Sequence, residues 1–294
     1  MWWLFACTLF AESPVARDIA PAEPAPVAPP LWPDPAALRS LPPRAVAGTL
    51  LLDAGHGAPK NSGNRNYRCE AEADVMLRVS QGISAALTRA AGDPPVPPGL
   101  LVTPTRPDAG LVAYPDRLSL ADRHAGTSTP AWLISLHSDT RAGQNPVADP
   151  VTGCVSTSGA QGFSVLWSDE GPGELVAGRR RLAEALATRM IEAGFPAYPG
   201  LDYGGLYEAG AVPGAFVDRH TPKKRIMLLR RPKIPSVILE THEAWDPLEA
   251  KAWEQPATWS AAASAIRAAL ADTQVSEGKS SKVTNPPAAP AGGA

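Results

Sequence analysis

The chain has 294 residues, of which 44% are hydrophobic and 19% charged, with a formal net charge of -2. That length suits one core of roughly 200 residues with ragged ends, and the near-neutral balance argues against a nucleic-acid partner, which needs a clustered basic face. The one basic cluster, Lys223, Lys224 and Arg225 followed by Arg230, Arg231 and Lys233, is short and reads as a solvated loop.

The first eleven residues, MWWLFACTLFA, are apolar but fall short of the ~20 residues of a spanning helix. They read as an export segment without the usual basic start. Leu4-Phe5-Ala6-Cys7 also has the look of a loose lipobox, which would anchor the chain through Cys7. Residues 12–44 form a Pro/Ala-rich linker, and residues 273–294 a tail whose Ser, Lys, Pro and Gly content cannot offset its ordering entropy. The folded domain is therefore expected between residues 45 and 272.

Within it, apolar runs alternate with helical patterns, as in a layered α/β domain. Ala45–Leu52 is predicted as a strand. Ala73–Ala90 is predicted as a helix with Val75, Met76, Val79, Ile83, Ala86 and Leu87 on one face. A strand at Leu100–Thr103 follows, then a helix from Pro115 towards Gly126 and a strand at Ala131–Leu136. Further strands are expected at Phe163–Trp167, Ile226–Leu229 and Ser236–Leu239, with helices at Leu175–Ala193 and Ala257–Leu270. The fold class is thus α/β: a single domain with a mixed, mostly parallel sheet flanked by helices. Of the three cysteines, Cys69 and Cys154 can pair in an oxidising compartment or remain thiols; the sequence does not decide.

Open α/β sheets gather ligands beyond the carboxyl ends of their strands. Three such ends carry chemistry: Asp53-Ala54-Gly55-His56-Gly57, Ser135-Leu136-His137-Ser138-Asp139, and Leu239-Glu240-Thr241. Two imidazoles and a carboxylate form a known catalytic zinc set that leaves a position for water. A second carboxylate is needed, and Glu70 and Glu72 at the start of the first helix, close in sequence to His56, are the candidates. Glycines flanking His56 allow a sharp turn there.

In order, the segments DAGHG, EADVML, TRPD with Arg117 downstream, LISLHSD and LLRRPKIPSVILE span about Thr49 to Glu240. Together they resemble the zinc-dependent N-acetylmuramoyl-L-alanine amidases of the amidase-3 type. The resemblance implies a phosphorylase/hydrolase-like fold, zinc held by His56, Glu72 and His137, and Glu240 as the catalytic acid/base. It matches Arg230 to an arginine of the penultimate strand, with a role in substrate contact or in supporting that strand. It also implies peptidoglycan as substrate, a cell-envelope location (periplasmic or secreted), a monomer, and a protein activator in regulated members. Two departures stand out. Where the family continues with a Gly-Phe-x-Ser-Asn-like stretch after the glutamate, this chain reads Thr241-His242-Glu243-Ala244-Trp245-Asp246. The segment Leu201–Lys224 is long, and reads as a lid, a binding loop, an autoinhibitory cover or a passive insertion.

His124 and His220 match no ligand and read as surface or packing residues, while His242 stands close enough to Glu240 to line the pocket. Ser135, His137 and Asp139 share one strand face without the elbow of a serine nucleophile. Neither a phosphate loop nor a dinucleotide fingerprint is present. The reading that competes with an enzyme is a peptidoglycan-binding or regulatory protein that keeps the fold without turnover.

Overall fold

The computed structural model describes residues 37–88, 99–141 and 146–280, with side chains to residue 274. Cys7, the apolar start, most of the linker and the end of the tail lie outside the described residues. The elements in chain order are β1 (Gly48–Ala54), α1 (Glu72–Thr88), β2 (Leu100–Pro104), α2 (Tyr114–Asp122) and β3 (Ala131–Asp139). A two-residue pair follows, β4 (Val147–Ala148) and β5 (Val155–Ser156), then β6 (Ser164–Trp167), α3 (Gly173–Glu192), β7 (Tyr207–Ala209) and β8 (Ala215–Asp218). The chain continues through α4 (Met227–Arg230), β9 (Ser236–Glu243), α5 (Pro247–Ala252) and α6 (Pro256–Ser280).

Seven strands form one sheet in the order β2-β1-β3-β9-β6-β8-β7. The first four run parallel, β6 is antiparallel to β9, and β7 is antiparallel to β8. Strand alternation sorts the sheet into two faces. Leu50 and Leu52 of β1, Trp132, Ile134 and Leu136 of β3, Val165 and Trp167 of β6, and Val237 and Leu239 of β9 share the main core. There they meet the buried stripe of α1 (Val75, Met76, Val79, Ile83), with Leu182 and Leu186 of α3 and Ile266 and Leu270 of α6. The intervening residues face the other way. Leu51 and Leu133 pack with Ala121, Leu228 and Ile234, and Leu166 and Ile238 pack with Tyr203, Phe216 and Leu229. Burying one such side chain contributes about 1.5–3 kcal/mol.

This alternation determines where polar residues can point. Continuing β1 from Leu51 reaches Asp53, β3 from Leu133 reaches Ser135 and His137, and β9 from Ile238 reaches Glu240. All four therefore lie on the face away from α1, α3 and α6, at the carboxyl ends of parallel strands. The register sets Asp53 beside Ser135 and His137 beside Glu240.

Three elements differ from the sequence reading. Ile226–Leu229 is not a strand: Met227–Arg230 is a single helical turn, α4. Four apolar residues in a row fit either state, and in the turn Leu228 and Leu229 are buried in two different clusters. The Leu201–Lys224 segment supplies β7 and β8 and so widens the sheet. The last helix runs on to Ser280. Residues 37–44 pack onto the domain as well: Leu38 and Leu41 rest against the main core, and Leu41 N donates to Ser264 Oγ at 2.9 Å. Cys69 and Cys154 are joined, with Cα atoms 5.3 Å apart, which ties the loop before α1 to β5. Among the described residues no helix is long and apolar enough to cross a membrane.

Candidate metal and catalytic centre

His56 lies just past β1 in a left-handed backbone conformation (φ 58°), which a non-glycine residue adopts only at a cost. Arg117 of α2 holds it there. Its guanidinium, wholly buried, pairs with Asp53 at 3.0 Å, donates to Ala54 O at 3.1 Å and Val112 O at 2.9 Å, and also donates to His56 O. Glu72 opens α1 and reaches across the loop. His137 comes from β3. Side-chain atoms of these three residues lie within 4.8 Å of one another, and among the described residues they are the cluster able to hold a metal ion. His56 Nε2 is 3.0 Å from Glu72 Oε2, and His137 Nδ1 is 3.0 Å from Glu72 Oε1.

Hydrogen bonds behind the rings fix which nitrogens face Glu72 as lone pairs. Asn61 Oδ1 already accepts from the Gly63 N–H at 3.2 Å, so at 2.7 Å it also accepts from His56 Nδ1. The Ser135 hydroxyl donates to Asp53 Oδ2 at 2.5 Å and therefore accepts from His137 Nε2 at 3.0 Å. His56 Nε2 and His137 Nδ1 are left with their lone pairs turned towards a carboxylate. Three electron-rich groups facing one gap favour a cation in it, and outer partners of this kind are what orient metal-binding imidazoles. Burial alone would raise the Glu72 pKa, but once the two rings are protonated on the nitrogens that face it, hydrogen bonds from His137 and His56 hold it well below the usual carboxylate range. Burial would lower both histidines, yet Glu72 raises them above their ordinary value. The donor set fits a metal ion.

Glycines leave the space. A Cβ on Gly63, itself at φ 76°, would stand 2.5 Å from Glu72 Oε2 and 2.6 Å from His56 Cδ2. One on Gly55 would meet His137 Nε2 at 2.7 Å. Glu72 also accepts from the backbone N–H groups of Asn64 and Ser138, each at 3.1 Å. Glu70, the other carboxylate considered, pairs instead with Arg68 at 2.9 Å and Arg78 at 3.1 Å near the surface.

Glu240 lines a cavity of about 330 Å³ together with His56, His137, Tyr114, Ile226, Met227, Leu228 and Ile238. Its Oε2 is enclosed and has no hydrogen-bond partner among the described residues. Burial, with the negative charge of Asp139, pushes its pKa up to about 8. Tyr203, from the long segment before β7, donates to Asp139 at 2.8 Å and bonds Ser164 Oγ at 2.9 Å, which ties that segment to the ends of β3 and β6.

Other expected residues stand elsewhere. Arg230, at the end of α4, is 3.9 Å from Glu170 and does not line the cavity. His242 does not line it either: it is fully buried against Trp253, their rings stacked at 6.1 Å, and burial takes its pKa down to about 3. His220 pairs with Asp218 at 2.8 Å. The altered stretch after Glu240 is structural. Thr241 Oγ1 donates to His137 O at 2.8 Å, Glu243 accepts from Arg141 N at 2.8 Å, and Asp246 caps α5. Sequence reasoning passed over Asn61, Gly63 and Tyr114, and it named Asp53 at the end of an apolar strand without giving it a role.

Comparison with known proteins agrees with this geometry. Residues 50–272 match the family model described as N-acetylmuramoyl-L-alanine amidase. No curated protein matches the chain significantly in sequence. Solved structures that share the fold include Ami1, an N-acetylmuramyl-L-alanine amidase from Mycobacterium smegmatis, at 19% identity and TM-score 0.56, covering 79% of this chain and 100% of that one. An N-acetylmuramoyl-L-alanine amidase from Clostridium difficile 630 matches at 17% identity and TM-score 0.52, over 80% and 99% of the two chains. The CwlD amidase from Clostridioides difficile, solved in complex with the GerS lipoprotein, matches at 15% identity and TM-score 0.50, over 78% and 99%. At these identities the structures speak to the fold, while the family match spans most of the chain: the protein belongs to the N-acetylmuramoyl-L-alanine amidase family.

Proposed function

We propose that this amidase is a zinc enzyme in which His56, Glu72 and His137 hold the ion and Glu240 is the acid/base that cuts the bond between N-acetylmuramic acid and L-alanine. The observation that carries this reading is the convergence of two imidazole lone pairs on the Glu72 carboxylate, beside a cavity that Glu240 also lines. Two nitrogens and one carboxylate oxygen suit zinc with a position left for water. When bound, the ion would lower the pKa of water and polarise the scissile carbonyl.

The remaining chemistry belongs to the chain. Glu240 takes a proton from the attacking water and delivers one to the alanine nitrogen as the C–N bond breaks. A carboxylate with one enclosed oxygen that has no partner among the described residues suits a group that must change protonation twice in one turnover. The apolar wall of Ile226, Met227, Leu228 and Ile238 limits water around the reacting amide. Arg117, Asn61 and Ser135 keep the histidines oriented throughout.

The substrate lies outside the cytoplasm, and we infer a cell-envelope enzyme, periplasmic or secreted, with anchoring through Cys7 as part of the proposal. The Cys69–Cys154 pair suits an oxidising compartment. Residues 45–272 are proposed as the catalytic domain of a monomer. A structural relative solved in complex with a lipoprotein favours a protein partner here, which we propose acts as an activator. Digestion of purified peptidoglycan, read by mass spectrometry, tests the reading: stem peptides with a free L-alanine amino terminus are expected, and lost with a chelator. Intact peptidoglycan after treatment with folded, zinc-loaded protein would overturn it.

A further inference from the structure

We propose that Tyr114 is a catalytic residue whose hydroxyl donates a hydrogen bond to the scissile carbonyl oxygen as negative charge develops there. The inference rests on the amidase reading above and deepens it.

Tyr114 is the first residue of α2, half-buried, and its ring lines the cavity that His56, His137 and Glu240 share. Its hydroxyl is 3.2 Å from Asn61 Nδ2. Because Asn61 Oδ1 accepts from both the Gly63 N–H and His56, Nδ2 is the amide nitrogen and a donor, so the phenol oxygen is the acceptor. The phenol proton is therefore not used in that bond, and it meets no acceptor among the described residues. A tyrosine hydroxyl that accepts from the protein and keeps its own hydrogen is a donor awaiting an acceptor.

Position supports the role. Along the sheet, His56 follows β1, His137 sits on β3 and Glu240 on β9, in that spatial order. Tyr114 joins this row at the His56 end through Asn61 and lines the same cavity as Glu240. Hydrolysis of an amide needs proton transfer at the attacking water and stabilisation of the oxygen that gains charge, and the two needs lie on different sides of the carbonyl carbon. Glu240 serves the first and Tyr114 the second. The guanidinium of Arg117 lies 5.0 Å from the Tyr114 ring centroid, which fixes the ring before substrate arrives. Preorganised donors of this kind act mainly in the transition state.

The test compares full-length, zinc-loaded wild type with Tyr114→Phe on a soluble N-acetylmuramoyl dipeptide. Loss of one such donor should lower kcat by about 100-fold while KM, zinc content and Tm stay at wild-type values. A second readout needs no turnover. A phosphinate that replaces the scissile amide with a tetrahedral, charged centre should bind Tyr114→Phe about 10-fold or more weakly, whereas the uncharged dipeptide should bind Glu240→Gln with equal affinity whether or not Tyr114 is replaced. An active wild type whose Tyr114→Phe variant keeps kcat within twofold overturns this inference alone. Lower activity accompanied by zinc loss also overturns it, making Tyr114 a support for His56. An inactive zinc-loaded wild type overturns the amidase reading and the inference with it.

Discussion

The two sides of the centre are built on opposite plans. On the β1/β3 side the three candidate ligands are held from behind: both histidines have outer partners, Glu72 accepts from two backbone N–H groups, and Arg117 with Asp53 forms a wholly buried ion pair. On the β9 side the wall is apolar, and Glu240 Oε2 has no partner among the described residues. The contrast separates the tasks. An ion site needs rigid, oriented donors, while a proton-transfer group needs an unsatisfied valence and a pKa away from its solution value. The first side resists change, and the second invites a ligand.

Perturbing the rigid side should have effects in a definite order. Glu72→Ala removes the group on which both imidazoles converge; zinc binding and peptidoglycan cleavage should be lost together, as elemental analysis and product release would show. Next comes Arg117→Met, which leaves Asp53 buried and uncompensated. That should destabilise the fold by about 3–5 kcal/mol in urea unfolding. Opening the Cys69–Cys154 pair with Cys154→Ser should cost about 2–4 kcal/mol, again by urea unfolding, and an unchanged midpoint would mean the loop before α1 is held by its hydrogen bonds alone. Ser135→Ala is the mildest: without the acceptor behind His137, zinc affinity should fall about 10- to 100-fold in a chelator competition, with the fold retained.

How much of this the sequence announced depends on whether a feature is periodic or spatial. The two sheet faces were legible because alternation in β1, β3 and β9 is regular, and extending it brings Asp53, Ser135, His137 and Glu240 to one face. Glu72 was legible only as one of two carboxylates, and the loop decided: Asn64 and Ser138 present N–H groups to it, while Glu70 stays with surface arginines. Asn61 and Tyr114 were invisible because their bond joins positions 53 residues apart with no repeating pattern. β7 and β8 were missed for another reason. They are short, with Gly210 and Gly214 between them, and gain their stability from pairing in the sheet and from Phe216 packing on Tyr203 at 5.0 Å. α4 reversed its expected state because a run of four apolar residues has no periodicity that tells a helical turn from a strand, and Leu228 and Leu229 are buried in separate clusters.

The central claim is the division of labour between ion site and proton carrier, and Glu240→Gln tests it most directly. Zinc content and peptidoglycan cleavage would be measured on the same folded, full-length sample. The account predicts one zinc per chain, as in the wild type, with release of stem peptides reduced by a factor of about 10²–10⁴. Cleavage at the wild-type rate, or loss of zinc together with activity, would contradict it.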